Sequence, residues 1–516
     1  MEKKNEFNSK AGFILAAAGS SIGLGNLWSF PYKASQNGGA AFVFAYIISV
    51  IILGSILAIA EIYIGKRSRA NPITSYKKIS KYLGWVGVVG IFTAFIITCY
   101  YIVLGGYTIK YTVNSFSDNS NILESFSGSI WQVILFTAIF IGLSLVVVSL
   151  GVKNGIEKSS KILMPALIVI LIGVVIYCLT LGEGVKEGLN YYLNPDFKAL
   201  GFKGILAAMS QAFFSLSVGA GSLITYGSYT GKDIRVGKSV LWIAFFDTLV
   251  AFLAGLAIFP SIYHYQAETG IALQNNGIVL LFSSMPIVFS SLGTFGKVIS
   301  FFFFGMVSIA AITSVISLLE VVAQYLIQRH HLNRKIVCMV IAIISLVISI
   351  PIGMSLGFSL NNEPYLLIDG KNLLEIIDLM VNSVFIPANA LLASIAIGWL
   401  LYKDKKKRFS FKYLSENLEE DGLKLGKFRY IFAFMIKYII PILVIVIEVI
   451  GIIDIVFPLS GSSRSFSLTG LIIELIAFII IGICMFLFFV FLKDKDTGTN
   501  DSEYQTTDEI SNDNKL

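Results

Sequence analysis

Apolar residues gather in long runs along most of the chain, separated by short polar breaks. A helix that crosses a bilayer needs about 20 mostly apolar residues. Twelve such runs can be read: 11–36, 40–65, 84–110, 129–151, 160–181, 203–229, 236–261, 292–326, 334–356, 373–402, 428–453 and 466–492. Two of them look broken. The first contains Gly19-Ser20-Ser21-Ile22-Gly23-Leu24-Gly25-Asn26 and then Pro31; the sixth contains Ser215-Leu216-Ser217-Val218-Gly219-Ala220-Gly221. Glycines and hydroxyls at mid-membrane depth leave backbone unpaired, which is tolerated only where it lines a cavity. Small-residue packing competes as a reading, because Gly19 and Gly23 have the small-xxx-small spacing. Two broken runs, each opening a block of five, instead predict a five-plus-five inverted repeat with discontinuous helices one and six, whose breaks mark a transporter's central site. The expected fold class is an all-α membrane protein of twelve transmembrane helices.

An even number of crossings puts both termini on one side, and loop charge says which. The segment 66–81 carries Lys66, Arg67, Arg69, Lys77, Lys78 and Lys81 with no acid, and the loop after run ten carries Lys403, Lys405, Lys406, Lys407, Arg408 and Lys412. Segments 111–128 and 262–291 have no Lys or Arg. Positive loops stay in the cytoplasm, so both termini are expected inside. The organisation that follows is a cytoplasmic N-terminal segment 1–10, helices one to five over 11–182, helices six to ten over 203–402, a basic cytoplasmic loop 403–427, helices eleven and twelve over 428–492, and a polar, acidic, disordered tail 493–516. A cleaved leader is not expected, since the apolar stretch Phe13–Ala18 is shorter than the roughly 7–15 residues of a signal core.

Composition narrows the class. Hydrophobic residues make up 56% and charged residues 14%, with mean hydropathy +0.79, against about 45–50% and 25% in soluble domains. A soluble enzyme, a disordered regulator and a disulfide scaffold are excluded. The net charge of +7 is confined to particular loops, so it reads as topology and implies no nucleic-acid partner. Cys99, Cys178, Cys338 and Cys484 lie singly in apolar stretches and read as membrane-buried thiols. His264, His330 and His331 have no metal-ligand spacing, and no catalytic constellation of an enzyme is present.

Gly23-Leu24-Gly25-Asn26-Leu27-Trp28 followed by Phe30-Pro31 resembles the signature of the neurotransmitter:sodium symporters, specifically their bacterial amino-acid transporter branch with the LeuT-like fold. Asn37-Gly38-Gly39-Ala40, Glu61 through Gly65-Lys66, Tyr100-Tyr101, Phe213-Phe214-Ser215-Leu216-Ser217 and Ala310-Ala311-Ile312-Thr313-Ser314 extend the likeness over residues 3 to about 490. The resemblance implies sodium-coupled symport of an amino acid by alternating access, with two sodium ions and no organic cofactor. The first ion would be held by Ser21, Asn26, Ser215 and Asp247 with the substrate carboxylate. The second would be held by carbonyls of Gly19, Ile22 and Ala310 with the hydroxyls of Thr313 and Ser314. All are oxygen ligands, as a hard cation requires. Back-bonding to carbonyls one turn earlier is the competing role for Thr313 and Ser314.

An intramembrane carboxylate is a functional hypothesis by default. Animal relatives typically place Asn at the position of Asp247 and recruit chloride nearby, so chloride independence is expected here, with protonation of Asp247 relaying charge on the return step. Substrate contacts implied by the resemblance are Ser21, Gly23, Gly25, Ile97, Tyr101, Phe214, Ser215, Ser217, Ala220, Ser314 and Leu318. Gly23 stands where monoamine carriers place Asp, which indicates an amino acid. Ala220 replaces a bulky Phe of the small-aliphatic carriers, which indicates a large hydrophobic or aromatic substrate such as tyrosine, tryptophan or leucine. The gates depart from the pattern. At the outer one Ser29 stands where Arg is usual while Asp378 remains, so closure is expected to rely on Phe214, Tyr101 and water. At the inner one Lys4 replaces Arg, Phe7 replaces Trp and Gln328 replaces an Asp, whereas Ser228 and Tyr229 match. Glu61 is expected to bond unwound backbone, and Glu320, Glu448 and Glu474 receive no role. The altered gates motivate a second reading, a membrane sensor that binds substrate without transporting it. The short loops point to a bacterial inner membrane, and the resemblance leaves room for a homodimer.

Overall fold

A computed structural model describes residues 6–117, 126–231, 233–271, 278, 280–360, 371–402, 407, 409–457, 459–460, 463–464 and 467–493. Among them, ten helices are long and apolar enough to cross a membrane: Ala40–Ser68 (helix two), Lys81–Asn114 (three), Ile130–Ser149 (four), Val152–Cys178 (five), Val236–Thr269 (seven), Gly293–His330 (eight), Arg334–Gly357 (nine), Leu373–Leu400 (ten), Phe428–Val456 (eleven) and Leu468–Phe486 (twelve). Helix one is the pair Lys10–Ser21 and Gly25–Gln36, which meet at 50°. Helix six is the pair Phe197–Ser215 and Ser222–Ser228. The twelve expected helices are therefore present, and the two discontinuous ones are the first and the sixth.

Burial sorts the helices into a centre and a shell. The most hydrophobic stretch of helix eight is 78% buried and that of helix three 72%, whereas helices four, eleven and twelve reach only 28%, 22% and 28%. The shell helices turn Trp131, Leu135, Ile442 and Ile479 outward. Lipid tails are as apolar as leucine, so no hydrophobic gain forces these faces inward. At the centre, contact is made by omission of side chains. A Cβ on Gly65 of helix two would overlap the Ile224 carbonyl, and one on Gly227 would overlap the Ile62 carbonyl. Helix two and the second half of helix six thus pack backbone against backbone.

Three stretches differ from expectation. Helix five begins at Val152 rather than near 160, because Val152–Glu157 adds a π-helical turn after Gly151. The loop 403–427 contains the helix Phe411–Glu420, capped by Ser410, whose hydroxyl accepts from the Tyr413 N–H. The segment 262–291 is partly helical, since helix seven runs on to Thr269 and Leu280–Ser291 forms a short helix. Past Lys493 the chain lies outside the described residues, and the expected disordered tail lies there with it.

Candidate functional site

The two breaks face each other. Helix one leaves helical geometry at Ile22, with φ −73° and ψ 102°, and resumes in a π-helical turn at Gly25–Ser29. In helix six, Ser217 (φ 54°), Gly219 (φ 82°) and Gly221 (φ 73°) all occupy the left-handed region. Serine rarely adopts that conformation, and such strain collects at functional positions. The Ser217 hydroxyl donates to the Ser20 carbonyl at 2.9 Å, tying one break to the other. The Gly219 N–H donates to Glu61 Oε1 at 2.7 Å, so helix two supplies the partner that the unwound backbone lacks.

Asp247, fully buried midway along helix seven, is the hub beside these breaks. Its Oδ1 accepts from Asn26 Nδ2 at 2.8 Å, and its Oδ2 accepts from the hydroxyls of Ser215 at 2.7 Å and Tyr46 at 3.0 Å. Tyr46 also reaches Ser215 Oγ at 2.9 Å, and Asn26 lies 3.1 Å from the same oxygen. Three of the expected first-ion residues, Asn26, Ser215 and Asp247, are therefore in direct contact. Ser21 is not bonded into this cluster; its hydroxyl donates back to the Ala17 carbonyl at 3.1 Å. Tyr46 was not singled out from the sequence, where one tyrosine in an apolar run carries no signal.

The second group also converges, with its two hydroxyls behaving differently. Ser314 Oγ lies 3.5, 3.3 and 3.3 Å from the carbonyls of Gly19, Ser20 and Ile22, at the frayed end of the first half-helix. Thr313 Oγ1 bonds within its own helix, to Ile309 at 3.2 Å and Ala310 at 3.0 Å. Back-bonding thus describes Thr313, and Ser314 crosses to helix one. Thr313 still faces the site, since a Cβ on Gly19 would lie 3.3 Å from its Cβ.

Between the groups is a cavity with about 30 Å³ in which the centre of a water molecule can move. Of the expected substrate contacts, Ser21, Gly25, Ile97, Tyr101, Phe214, Ser217, Ala220, Ser314 and Leu318 line it, joined by Ser20, Val218 and Ile386. Ser215 is not among the lining residues and turns its hydroxyl to Asp247 instead. Gly23 is also off the lining, yet a Cβ there would overlap Ser314 Oγ. The Tyr101 hydroxyl sits against the Gly25 backbone N–H, at the start of the second half of helix one. A helix N-terminus and a phenol together present donors to a carboxylate. Phe214 lies over this point, within 2.9 Å of where a Gly25 Cβ would be.

The outer gate corrects one expectation. Ser29 does leave the usual cation position vacant, but Lys33, one helical turn on, reaches the same place. The Lys33 ammonium and the Ser29 hydroxyl both donate to Gln211 Oε1, at 2.8 and 3.0 Å, while Gln211 Nε2 holds the Gly25 carbonyl at 3.0 Å. Lys33 and Asp378 interact electrostatically, and Asp378 Oδ1 accepts from Tyr100 at 3.0 Å. The reading of this end from Ser29, Phe214 and Tyr101 thus omitted a cation, Lys33, that stands near Asp378. The spacing of Ser29 and Lys33 was the available signal, because residues four apart share a helix face.

At the inner end Lys4 lies outside the described residues. Phe7 packs edge-on against Phe13 and Tyr226 and donates its N–H to the Tyr229 carbonyl at 3.1 Å. The Tyr229 hydroxyl donates to Glu320, which is fully buried and ion-paired with Arg334. Glu320, given no role from the sequence, is thus the carboxylate that Tyr229 and Arg334 share. Gln328 instead accepts from the backbone and side-chain amides of Asn71 at 2.8 and 3.0 Å. Glu157 at the start of helix five accepts from the Asn8 N–H at 2.6 Å, the Ser9 hydroxyl at 2.9 Å and Lys161 at 2.7 Å.

A family model described as the sodium:neurotransmitter symporter family matches residues 4–122 and 120–493. An uncharacterized sodium-dependent transporter of Haemophilus influenzae is 32% identical over 477 residues, covering 86% of this chain and 98% of that protein. YhdH, an uncharacterized sodium-dependent transporter of Bacillus subtilis, is 33% identical over 469 residues, covering 88% and 99%. The crystal structure of MhsT in complex with L-phenylalanine aligns with a TM-score of 0.76 at 33% identity, over 86% of this chain and 99% of that one. Broken helices facing a central cavity and the match over nearly the whole length agree: the chain belongs to the sodium:neurotransmitter symporter family, and it is a sodium-dependent membrane transporter rather than an enzyme.

Proposed function

We propose that this protein imports a neutral amino acid with a large hydrophobic or aromatic side chain, coupled to two sodium ions and without chloride. The observation that carries the proposal is Asp247, a buried carboxylate bonded to Asn26, Ser215 and Tyr46 at the break of helix one. A fixed negative charge there balances a sodium ion with no need of a mobile anion. The substrate carboxylate would meet the Gly25 N–H and the Tyr101 hydroxyl, next to the same ion. The second ion would lie among the oxygens of Gly19, Ile22, Ala310, Thr313 and Ser314.

The side chain of the substrate would extend along Ile97, Ala220, Leu318 and Ile386, an apolar wall without a charged partner. That MhsT binds L-phenylalanine supports this choice of substrate. Lys33 at the outer gate and the Glu320–Arg334 pair at the inner one take up the charges whose loss motivated the sensor reading, and so favour turnover. Both termini are assigned to the cytoplasm from the basic loops, and the membrane is taken as the bacterial inner membrane.

The test is uptake of labelled phenylalanine, tryptophan, tyrosine and leucine into sealed proteoliposomes under an inward sodium gradient, with chloride present or replaced by gluconate. Accumulation that needs sodium and ignores chloride is the expected outcome. Saturable binding without accumulation would replace the symporter with the sensor.

A further inference from the structure

We propose that Phe409 and Phe411, in the loop between helices ten and eleven, insert into the interfacial layer of the bilayer and anchor that loop to the membrane. Phe409 is 71% exposed, and Phe411 is exposed as well. Both rings nevertheless touch membrane helices. Phe409 meets Trp399 at the end of helix ten, with centroids 5.5 Å apart, and Phe411 meets Phe434 of helix eleven at 5.7 Å. Trp399 and Phe434 each contact the Tyr438 ring, so the aromatic residues of the loop and of the two helices form one patch.

Depth follows from helix eleven. That helix starts at Phe428, and Phe434 lies about 9 Å further along its axis at 1.5 Å per residue. The Tyr438 hydroxyl, from one turn beyond Phe434, donates to the Phe409 carbonyl. The loop therefore folds back along helix eleven instead of leaving from its end. The flank it follows faces lipid, since the most hydrophobic stretch of this helix is only 22% buried and Ile431 and Phe434 are exposed. Phe409 and Phe411 continue that lipid-facing surface. Backbone enters an apolar layer only where its polar groups are paired. Here the Phe409 carbonyl has Tyr438, the Ser410 N–H donates to the Lys407 carbonyl at 2.9 Å, and the Ser410 hydroxyl accepts from the Tyr413 N–H at 3.2 Å. Trp399 Nε1 donates to the Lys437 carbonyl at 2.9 Å. Aromatic rings with their polar edges paired in this way collect at membrane interfaces. The anchor also has a mechanical reach. The helix Phe411–Glu420 turns Leu414 and Leu418 inward, and Asp421 after it accepts from the Tyr402 hydroxyl at 2.6 Å and pairs with Arg67 of helix two at 3.2 Å. One short strap thus joins the bilayer surface to the adjoining ends of helices two and ten.

The experiment is spin labelling of the full-length protein in lipid nanodiscs, with Phe409→Cys and Phe411→Cys as separate label sites. Glu416→Cys, at an exposed position of the loop helix, is the water-facing reference. Cys99, Cys178, Cys338 and Cys484 are buried, so the unsubstituted chain serves as the blank. Relaxation of each label is read with oxygen, which concentrates in lipid, and with a nickel chelate, which stays in water. Oxygen should dominate at 409 and 411, at a depth of about 5–10 Å into the boundary between headgroups and acyl chains, and the nickel chelate should dominate at 416. If one of the two phenylalanine variants does not fold, the other carries the test. Dominance of the nickel chelate at 409 and 411, equal to that at 416, would overturn the anchor and leave the patch to a protein partner. The readout needs no transport, so failure of the anchor and failure of the symporter reading are separately visible.

Discussion

Asp247 is the buried carboxylate on which Asn26, Ser215 and Tyr46 converge, and its replacement is the sharpest test of ion coupling. In Asp247→Asn the fixed charge disappears while the shape remains. Uptake in gluconate should fall at least about tenfold, and chloride should restore part of it; unchanged uptake without chloride would remove Asp247 from the charge balance. Ala220 tests selectivity at the same scale. Ala220→Phe fills the apolar wall, and volume mismatch in such a pocket discriminates by about 1–3 kcal/mol. Tryptophan uptake should drop at least about tenfold relative to leucine, read from competition between the two labelled substrates. Equal losses for both would mean that the wall does not contact the substrate side chain. Asp247 was legible in the sequence because carboxylates are rare within membrane segments. Tyr46 and Ser20 were not, since their meaning lies in partners 201 and 297 positions away.

At the scale of the element, the broken helices were readable because their glycines and serines interrupt runs that otherwise satisfy a membrane helix. How the breaks are secured was readable only in part, through the bond to unwound backbone that the resemblance implies for Glu61; the partners themselves were not. The Glu61 bond to Gly219 and the Ser217 bond to Ser20 both join segments distant in sequence. The second half of helix one shows the same limit. A cation stands at Lys33, one turn beyond Ser29, and Gln211 on helix six accepts from both. In Lys33→Met the substrate KM should rise about fivefold, the size of a partly exposed charge contact of about 1 kcal/mol. Moving the charge back in Ser29→Arg/Lys33→Met should recover it. A KM unchanged in the single variant would leave Lys33 without a part in closure.

Across the whole molecule, the N-terminal segment joins helices five and six, which no local pattern connects. Phe7 is bonded to the end of helix six and Asn8 to Glu157 of helix five. Hydrogen bonds to a buried charge contribute about 1.5–3 kcal/mol, so Glu157→Gln should speed amide exchange of the peptide 6–13 about tenfold or more, measured by mass spectrometry. Exchange at the wild-type rate would mean that Glu157 does not hold the segment. The seam between Gly65 and Gly227 has the opposite character, because nothing there can yield. With carbonyls pressed against bare α-carbons, any alternating-access movement would have to turn helix two and the second half of helix six as one crank, with the break at 216–221 as its bearing. The stroke of such a crank is set by the stiffness of two backbones. A single added methyl at position 65 should therefore jam the machine before it changes what the machine can carry.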